Sequence, residues 1–250
     1  ELCEWAEVGP KVVFECSGQF KTRELLQGHL SSGASKVILS VPSSDDSVPM
    51  VVLGVNDQEI DFADPIISNA SCTTNNSAPM VQVLDEICGI ESCYISAIHS
   101  YTVDQNLHDA PHLDLRRARG AALSIVPTTT GAAKALTRIF PHLALDLGGC
   151  GIRVPVPDGS LTDITCVMKN PMTADEINVA FKKASDGYDL KIMEYSDEPL
   201  VSRDVIGSPY SCVFDSQLTS VIGRMVKVVG WYDNEIGYSH RLVDLGVKFS

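Results

Sequence analysis

The stretch from Lys11 to Ser40 limits what this chain can fold into more than any other. Lys11-Val12-Val13-Phe14-Glu15 is short, apolar and β-branched, and closes at Ser17-Gly18. Thr22 to Ser32 then carries Leu25, Leu26 and Leu30 at helical spacing and stops at Gly33, as a helix with a C-terminal glycine does. Lys36-Val37-Ile38-Leu39-Ser40 is a second apolar run, ended by Pro42. Strand, helix and strand over so short a distance form a βαβ unit, whose strands are parallel and covered on both faces. A third strand is expected over Met50 to Val55, which makes the region part of a doubly wound α/β sheet.

The pattern changes after Pro65. Ser71 reads as an N-cap, followed by a helix with Met80, Val83, Leu84, Ile87 and Cys88 on one face and Gly89 at its end. A strand is expected over Cys93 to His99. Tyr101 to Arg119 is long, polar and aperiodic, and loops of that length are usually functional or wrap a partner. A helix follows over Gly131 to Ile139. Strands are then expected over Thr162 to Met168, Ser211 to Phe214, Thr219 to Ile222 and Met225 to Trp231, with one helix, Ala174 to Ala184, among them. That order suggests an α+β domain with a large antiparallel or mixed sheet. Glu235 to Lys248 closes the chain as a helix striped by Leu242, Leu245 and Phe249.

Composition excludes several classes. With 44% hydrophobic and 20% charged residues, a core is affordable in one or two domains. The net charge of -13 argues against non-specific nucleic-acid or anionic-membrane binding, which needs clustered Lys and Arg. No apolar run approaches the ~20 residues of a membrane span, and the opening Glu1-Leu2-Cys3-Glu4-Trp5-Ala6-Glu7 does not read as a signal peptide. The eight cysteines show no C-x-x-C spacing, so no metal site is expected. Cys16, Cys88, Cys93, Cys166 and Cys212 lie in apolar stretches and are expected to be buried free thiols, as in a reduced, cytoplasmic protein.

The chemistry concentrates in a few segments. Ser71-Cys72-Thr73-Thr74-Asn75 places a cysteine in the first turn of a helix, where unpaired N–H groups and the helix dipole favour a thiolate with a lowered pKa. Any one cysteine is more often a small core hydrophobe, but a packing cysteine does not need so many polar neighbours. His99 ends a strand and opens onto the polar loop, and a Cys–His pair can deprotonate a thiol and later steady an oxyanion. Thr128-Thr129-Thr130-Gly131 feeding a helix is either an anion cradle or an unliganded N-cap cluster. Arg153 in a strand-like apolar context must be paired or must meet an anion. Arg116-Arg117-Ala118-Arg119 is the one dense basic cluster, either a phosphate site or an exposed salt-bridged face. Together these features suit a phosphorylated aldehyde attacked by sulfur.

Ser68-Asn69-Ala70-Ser71-Cys72-Thr73-Thr74-Asn75, His99-Ser100-Tyr101-Thr102, Thr130-Gly131-Ala132-Ala133-Lys134, Arg153-Val154-Pro155 and Trp231-Tyr232-Asp233-Asn234-Glu235-Ile236-Gly237-Tyr238 resemble, in order, the motifs of the phosphorylating glyceraldehyde-3-phosphate dehydrogenase family. The resemblance implies a partial Rossmann-like NAD(P)-binding domain over residues 1–70. A catalytic domain over 71–250 follows, its last helix, about 235–250, returning to the first domain. It implies Cys72 as nucleophile and His99 as base. Ser71 and Thr73 flank the nucleophile, Thr102 and Arg153 hold the substrate phosphate, and Thr130, Gly131 and Arg117 hold the attacking phosphate. Ser17, Gly18, Ser40, Asn234 and Tyr238 line the cofactor, NAD with NADP as the alternative. Residues 101–119 resemble the family's S-loop, so a homotetramer acting in glycolysis is implied.

Three departures stand beside the resemblance. The family's opening strand and Gly-rich pyrophosphate turn do not precede Glu1, which leaves an N-terminally incomplete chain, a degenerate relative or a non-catalytic binding chain as readings. Asn76 stands where the family often has a second cysteine, with little catalytic effect expected. Asp109-Ala110-Pro111 stands where NAD-dependent members often have Leu before Pro. Erythrose-4-phosphate dehydrogenase, a sister enzyme that hydrolyses the thioester, is the alternative activity.

Overall fold

The computed structural model describes residues 3–250; Glu1 and Leu2, where the opening segment begins, lie outside the described residues. The chain divides into two compact units: the residues up to Ser71 with Ser239–Ser250, and Cys72–Tyr238.

In the first unit, β1 (Val12–Glu15), β2 (Lys36–Leu39) and β3 (Ile66–Ser68) form a parallel sheet in that order. The helix α1 (Arg23–Ser31) crosses between β1 and β2, and the Thr22 side chain caps it by accepting from the Leu25 N–H. Leu26, Val37, Leu39, Val48 and Ile66 form the core, each worth about 1.5–3 kcal/mol on full burial. The expected strand at Met50 to Val55 does not form, and Met50 makes only an isolated parallel bridge to Ser68. Side chains capture its backbone instead. Asn56 Oδ1 accepts from the Val52 N–H and its Nδ2 donates to the Met50 carbonyl, while Asp57 accepts from Gly54 N–H. Such local bonds favour turns over ladders, and Ile66–Ser68 takes the third place in the sheet.

In the second unit, β4 (Ile90–Ser100), β5 (Val126–Thr128), β6 (Leu147–Val154), β7 (Ser160–Met168), β8 (Met193–Ser196), β9 (Cys212–Asp215), β10 (Ser220–Ile222) and β11 (Met225–Tyr232) form one sheet. Its order is β5-β6-β4-β7-β11-β9-β8, with β10 paired to β11. The β4–β6 and β8–β9 pairs are parallel and the others antiparallel, so the sheet is mixed. Strict alternation of burial along β7 marks a sheet with one covered face. The helix α2 (Cys72–Cys88) packs on β4, β7, β9 and β11, flanked by α3 (Gly131–Ile139) and α4 (Ala174–Asp186). The last helix, α5 (Ile236–Phe249), begins in this unit and runs into the first. Phe181 of α4 stacks on Phe214 of β9 with ring centroids 4.0 Å apart.

All eight cysteines are free. Cys88, Cys93, Cys166 and Cys212 are buried as expected, but Cys16 is exposed, because it lies just past the end of β1, where the chain leaves the sheet. No helix of the described residues is long and apolar enough to cross a membrane, and no group of three or more His, Cys, Asp or Glu among them is placed to hold a metal.

Candidate active site

The site starts from a backbone turn. Ala70 has φ +56°, the one non-glycine residue at positive φ among the described residues, a conformation that costs about 1–2 kcal/mol. Such strain persists where the surroundings over-determine it. Ser71 follows, and Cys72 is the first residue of α2. The polar residues after it are buried: Thr73 Oγ1 meets Tyr232 Oη at 2.9 Å, and Ser77 Oγ donates to the Thr73 carbonyl at 2.7 Å. Asn76 Nδ2 donates to the carbonyls of Ser211 and Trp231, both at 3.2 Å. Asn76 thus ties α2 to β11, a structural role that its place in the sequence did not suggest.

His99 lies at the end of β4, 6% exposed, with its Nε2 3.4 Å from Cys72 Sγ. Its ring meets Tyr232 edge-on, centroids 5.9 Å apart. Nδ1 lies 2.8 Å from the Ser100 carbonyl and 2.6 Å from Arg153 Nη1. Arg153 stands opposite His99 in the β4–β6 register and also donates to the Ser100 carbonyl at 3.0 Å. Nδ1 cannot serve both neighbours at once: accepting from the guanidinium leaves the ring proton on Nε2, whereas donating to the Ser100 carbonyl keeps the Nε2 lone pair toward the sulfur, the tautomer a base requires.

Charge in this group is set by burial. Desolvation first, then the Arg153 guanidinium, pushes His99 down to about 4, against a smaller upward pull from the Ser100 carbonyl. His99 is therefore neutral at physiological pH. Cys72 corrects the expectation of a lowered pKa. Burial pushes its thiol up, and the downward pulls of the Thr73 hydroxyl and N–H and of Arg153 do not outweigh it. The resting pair is thiol and neutral imidazole rather than thiolate and imidazolium.

Arg153 meets no carboxylate among the described residues; burial lowers its pKa, opposed only by Tyr232 and Cys72. A half-buried guanidinium without a counter-charge is a ready anion partner. Arg117 is nearby, pushed down by burial and then by Arg153. Its Nε donates to Thr128 Oγ1 at 2.9 Å, and it is ion-paired to Asp104. Its neighbour Arg116 instead lines an open groove of about 440 Å³ with Asp114, Thr128, Thr129 and Cys150. Thr130 caps α3 by accepting from Ala132 N–H, and a Cβ on Gly131 would meet nothing within 4 Å. Thr102 Oγ1 donates to Gln105 Oε1 at 3.2 Å, and its N–H donates to the same oxygen at 2.9 Å.

Among the cofactor candidates, Ser17, Gly18 and Ser40 belong to the first unit. The Ser17 N–H and Oγ both donate to Glu15 Oε1, while His29 Nε2 meets Glu15 Oε2 at 2.9 Å. Burial raises Glu15, but the bonds from Ser17 and His29 outweigh it and hold the carboxyl below its ordinary value. Gly18 has φ +70° with open space where a Cβ would sit, so its backbone is accessible. Asn234 and Tyr238 belong to the second unit, and Asn234 Oδ1 accepts from Ser100 Oγ and Ser160 Oγ. Sequence reasoning passed over Tyr232, Gln105, Ser100 and Ser160 as site residues. Tyr232 stands beside Asn234 in one motif, whereas nothing local marks Ser160, which reaches the site only through β-sheet register.

Residues 71–234 match the model of the glyceraldehyde 3-phosphate dehydrogenase C-terminal domain. The chain is 53% identical over 241 residues to a glyceraldehyde-3-phosphate dehydrogenase of Mycobacterium avium, covering 96% of this chain and 71% of that protein. It is 50% identical over 246 residues to one of Streptomyces coelicolor, covering 97% and 73%. A domain match across most of the chain, agreeing with half-identity to full enzymes of that name, leads to one conclusion: this chain belongs to the glyceraldehyde-3-phosphate dehydrogenase family.

Proposed function

We propose that the chain oxidises glyceraldehyde 3-phosphate to 1,3-bisphosphoglycerate, using NAD and inorganic phosphate, through a thioester on Cys72. The thiol–imidazole pair at 3.4 Å, beside a guanidinium without a carboxylate, carries this reading. His99 Nε2 takes the Cys72 proton as Sγ attacks the aldehyde carbon, and the resulting imidazolium donates to the oxyanion of the thiohemiacetal. His99 then accepts the hydroxyl proton as the carbon is oxidised. NAD, when bound, supplies the hydride acceptor for that oxidation. Phosphate attacks the thioester carbonyl, the C–S bond breaks, and Cys72 leaves as the thiolate that recovers its proton.

Arg153 and Thr102 are the proposed partners of the substrate phosphate, and Thr130, Gly131 and Arg117 those of the attacking phosphate. Ser71 and Thr73 flank the nucleophile. In the first unit the Gly18 backbone is open, and in the second the Asn234 amide is bonded only through its oxygen among the described residues; each leaves a polar group that a ligand can meet. In the first unit, Ser17, Gly18 and Ser40 are proposed to line the dinucleotide, within a Rossmann-like NAD-binding domain. In the second, Asn234 and Tyr238 are, within the catalytic domain. A cytoplasmic, glycolytic homotetramer is proposed as the assembly, supported by the exposed apolar Val103, Leu107, Leu113 and Leu115 of the irregular 101–119 loop. Turnover of the intact enzyme with and without inorganic phosphate tests the activity. Phosphate-independent turnover would transfer the assignment to the hydrolytic sister enzyme.

A further inference from the structure

We propose that Ser100 and Ser160 are positioning residues that fix which end of the Asn234 amide faces the cofactor. Asn234 then offers N–H and selects a strong carbonyl acceptor on the nicotinamide substituent. The inference rests on the reading of Asn234 as the nicotinamide-facing residue.

Asn234 Oδ1 accepts two hydroxyl protons, from Ser100 Oγ at 2.9 Å and from Ser160 Oγ at 2.7 Å. Ser160 Oγ in turn accepts from the Ser100 N–H at 3.1 Å. Ser100 is 0% and Ser160 2% exposed, so neither hydroxyl has water as a substitute partner. Were the amide reversed, Nδ2 would confront both hydroxyls, and two buried O–H groups would lose their acceptor. Buried donors left unmade are the costly case in hydrogen-bond accounting, and a network of this kind settles amide orientation.

The backbone on the other side is equally fixed. Asp233, 1% exposed, accepts from the N–H groups of Glu235 and Ile236 through Oδ1 and from Gly207 N–H through Oδ2. Asn234 itself is 9% exposed, and its Nδ2 makes no hydrogen bond among the described residues. The one free end of a locked amide is therefore its donor. Ser100 also ties this amide to the catalytic base, because its carbonyl is the group that His99 Nδ1 meets at 2.8 Å.

A locked donor prefers the carboxamide oxygen of NAD to the weaker sulfur acceptor of thionicotinamide adenine dinucleotide. An amide free to turn can instead accept from the NH2 that both molecules keep. The test is the ratio of kcat/KM for the two cofactors in the intact enzyme and its Asn234→Ala, Ser100→Ala and Ser160→Ala variants, with KM for the aldehyde and thermal midpoints measured alongside. The expected result is that Asn234→Ala abolishes the preference for NAD, and that each serine variant lowers it by about three- to tenfold with KM for the aldehyde unchanged. A general structural defect would weaken both cofactors together and leave the ratio intact. Ser100→Ala removes a single side-chain bond, so it reports even where Ser160→Ala unfolds. If Asn234→Ala retains the full preference, the reading of Asn234 fails and the inference falls with it. If Asn234→Ala loses it while the folded serine variants keep it, Asn234 retains its role and the positioning proposal is overturned.

Discussion

Arg153 Nη1 lies 2.6 Å from His99 Nδ1, across two strands that place the residues at the same register position. Two groups able to carry positive charge are in contact, and the guanidinium keeps its charge while the imidazole gives it up. His99 titrates at about 4 in the folded chain against an ordinary 6.5. Between those values the unfolded chain binds the proton and the folded one does not. The stabilisation is therefore fully present above pH 6.5 and is lost as pH falls toward 4. The shift corresponds to about 3 kcal/mol. Urea unfolding at stepped pH should show wild type losing that much more than His99→Gln over this window; parallel curves would contradict the depressed imidazole.

Arg153→Gln should act on both partners. Removing the charge raises the His99 pKa, since Arg153 is one of the two causes that lower it. It also removes the proposed contact with the substrate phosphate, worth about 1.5–3 kcal/mol for a charged hydrogen bond, or roughly ten- to a hundredfold in KM. A titration of His99 by NMR alongside steady-state kinetics separates the two effects. An unchanged KM would remove Arg153 from the phosphate site.

Cys72 should alkylate more slowly at neutral pH than a thiolate–imidazolium pair would, because burial raises the thiol. Its rate with iodoacetamide should climb with pH through and beyond the ordinary thiol value of about 8.5. Cys88, pushed up to about 11 by burial, and the buried Cys212 should lag behind it. A flat rate from pH 6 to 8 would mean that a preformed ion pair exists after all, and labelling first at Cys88 or Cys212 would remove Cys72 as the reactive thiol.

Legibility in the sequence followed the range of the forces involved. The elements α1, α2 and α3 are readable because their signals are local: apolar residues at helical spacing, the Thr130 cluster ahead of α3, and Gly33 and Gly89 as stops. The segment Met50 to Val55 misled because its apolar run matches a strand, while Asn56 and Asp57 only a few residues on capture its backbone. Cys72 and His99 were recognisable as candidates from their neighbours, but their protonation was not, because desolvation depends on everything folded around them. The helix dipole that promised a thiolate is a local effect, whereas the burial that outweighs it is not. Ser160 reaches the site through its register with Tyr232 across β7 and β11, which no local motif records.

Gly230 offers a packing test beside the site. A Cβ there would lie 2.7 Å from Cys212 Sγ and 2.7 Å from Met80 Cε, both fully buried. Gly230→Ala should destabilise the protein by about 1–3 kcal/mol through overpacking. Cys212→Ala removes the sulfur that clashes, so the double variant should be less destabilised than the sum of the singles. Additive losses of stability would show that the Cys212 sulfur is not the group the new methyl presses on.

Thr130 has two jobs to separate, since its hydroxyl caps α3 and is also the proposed ligand of the attacking phosphate. Losing an N-cap costs about 1 kcal/mol, so Thr130→Ala lowers stability whatever its catalytic role, and Thr130→Ser, which keeps the hydroxyl, should recover both properties. The first hydride transfer, from the aldehyde to the cofactor, does not require the attacking phosphate. Rapid mixing of Thr130→Ala should therefore give a burst of reduced cofactor with near wild-type amplitude and rate. The turnover that follows should be slower, and saturation by inorganic phosphate should move to higher concentration. A cap defect alone would lower the burst and the steady state together, because a loosened α3 disturbs the whole site. A burst that fades in proportion to turnover, with unchanged phosphate dependence, would confine Thr130 to capping.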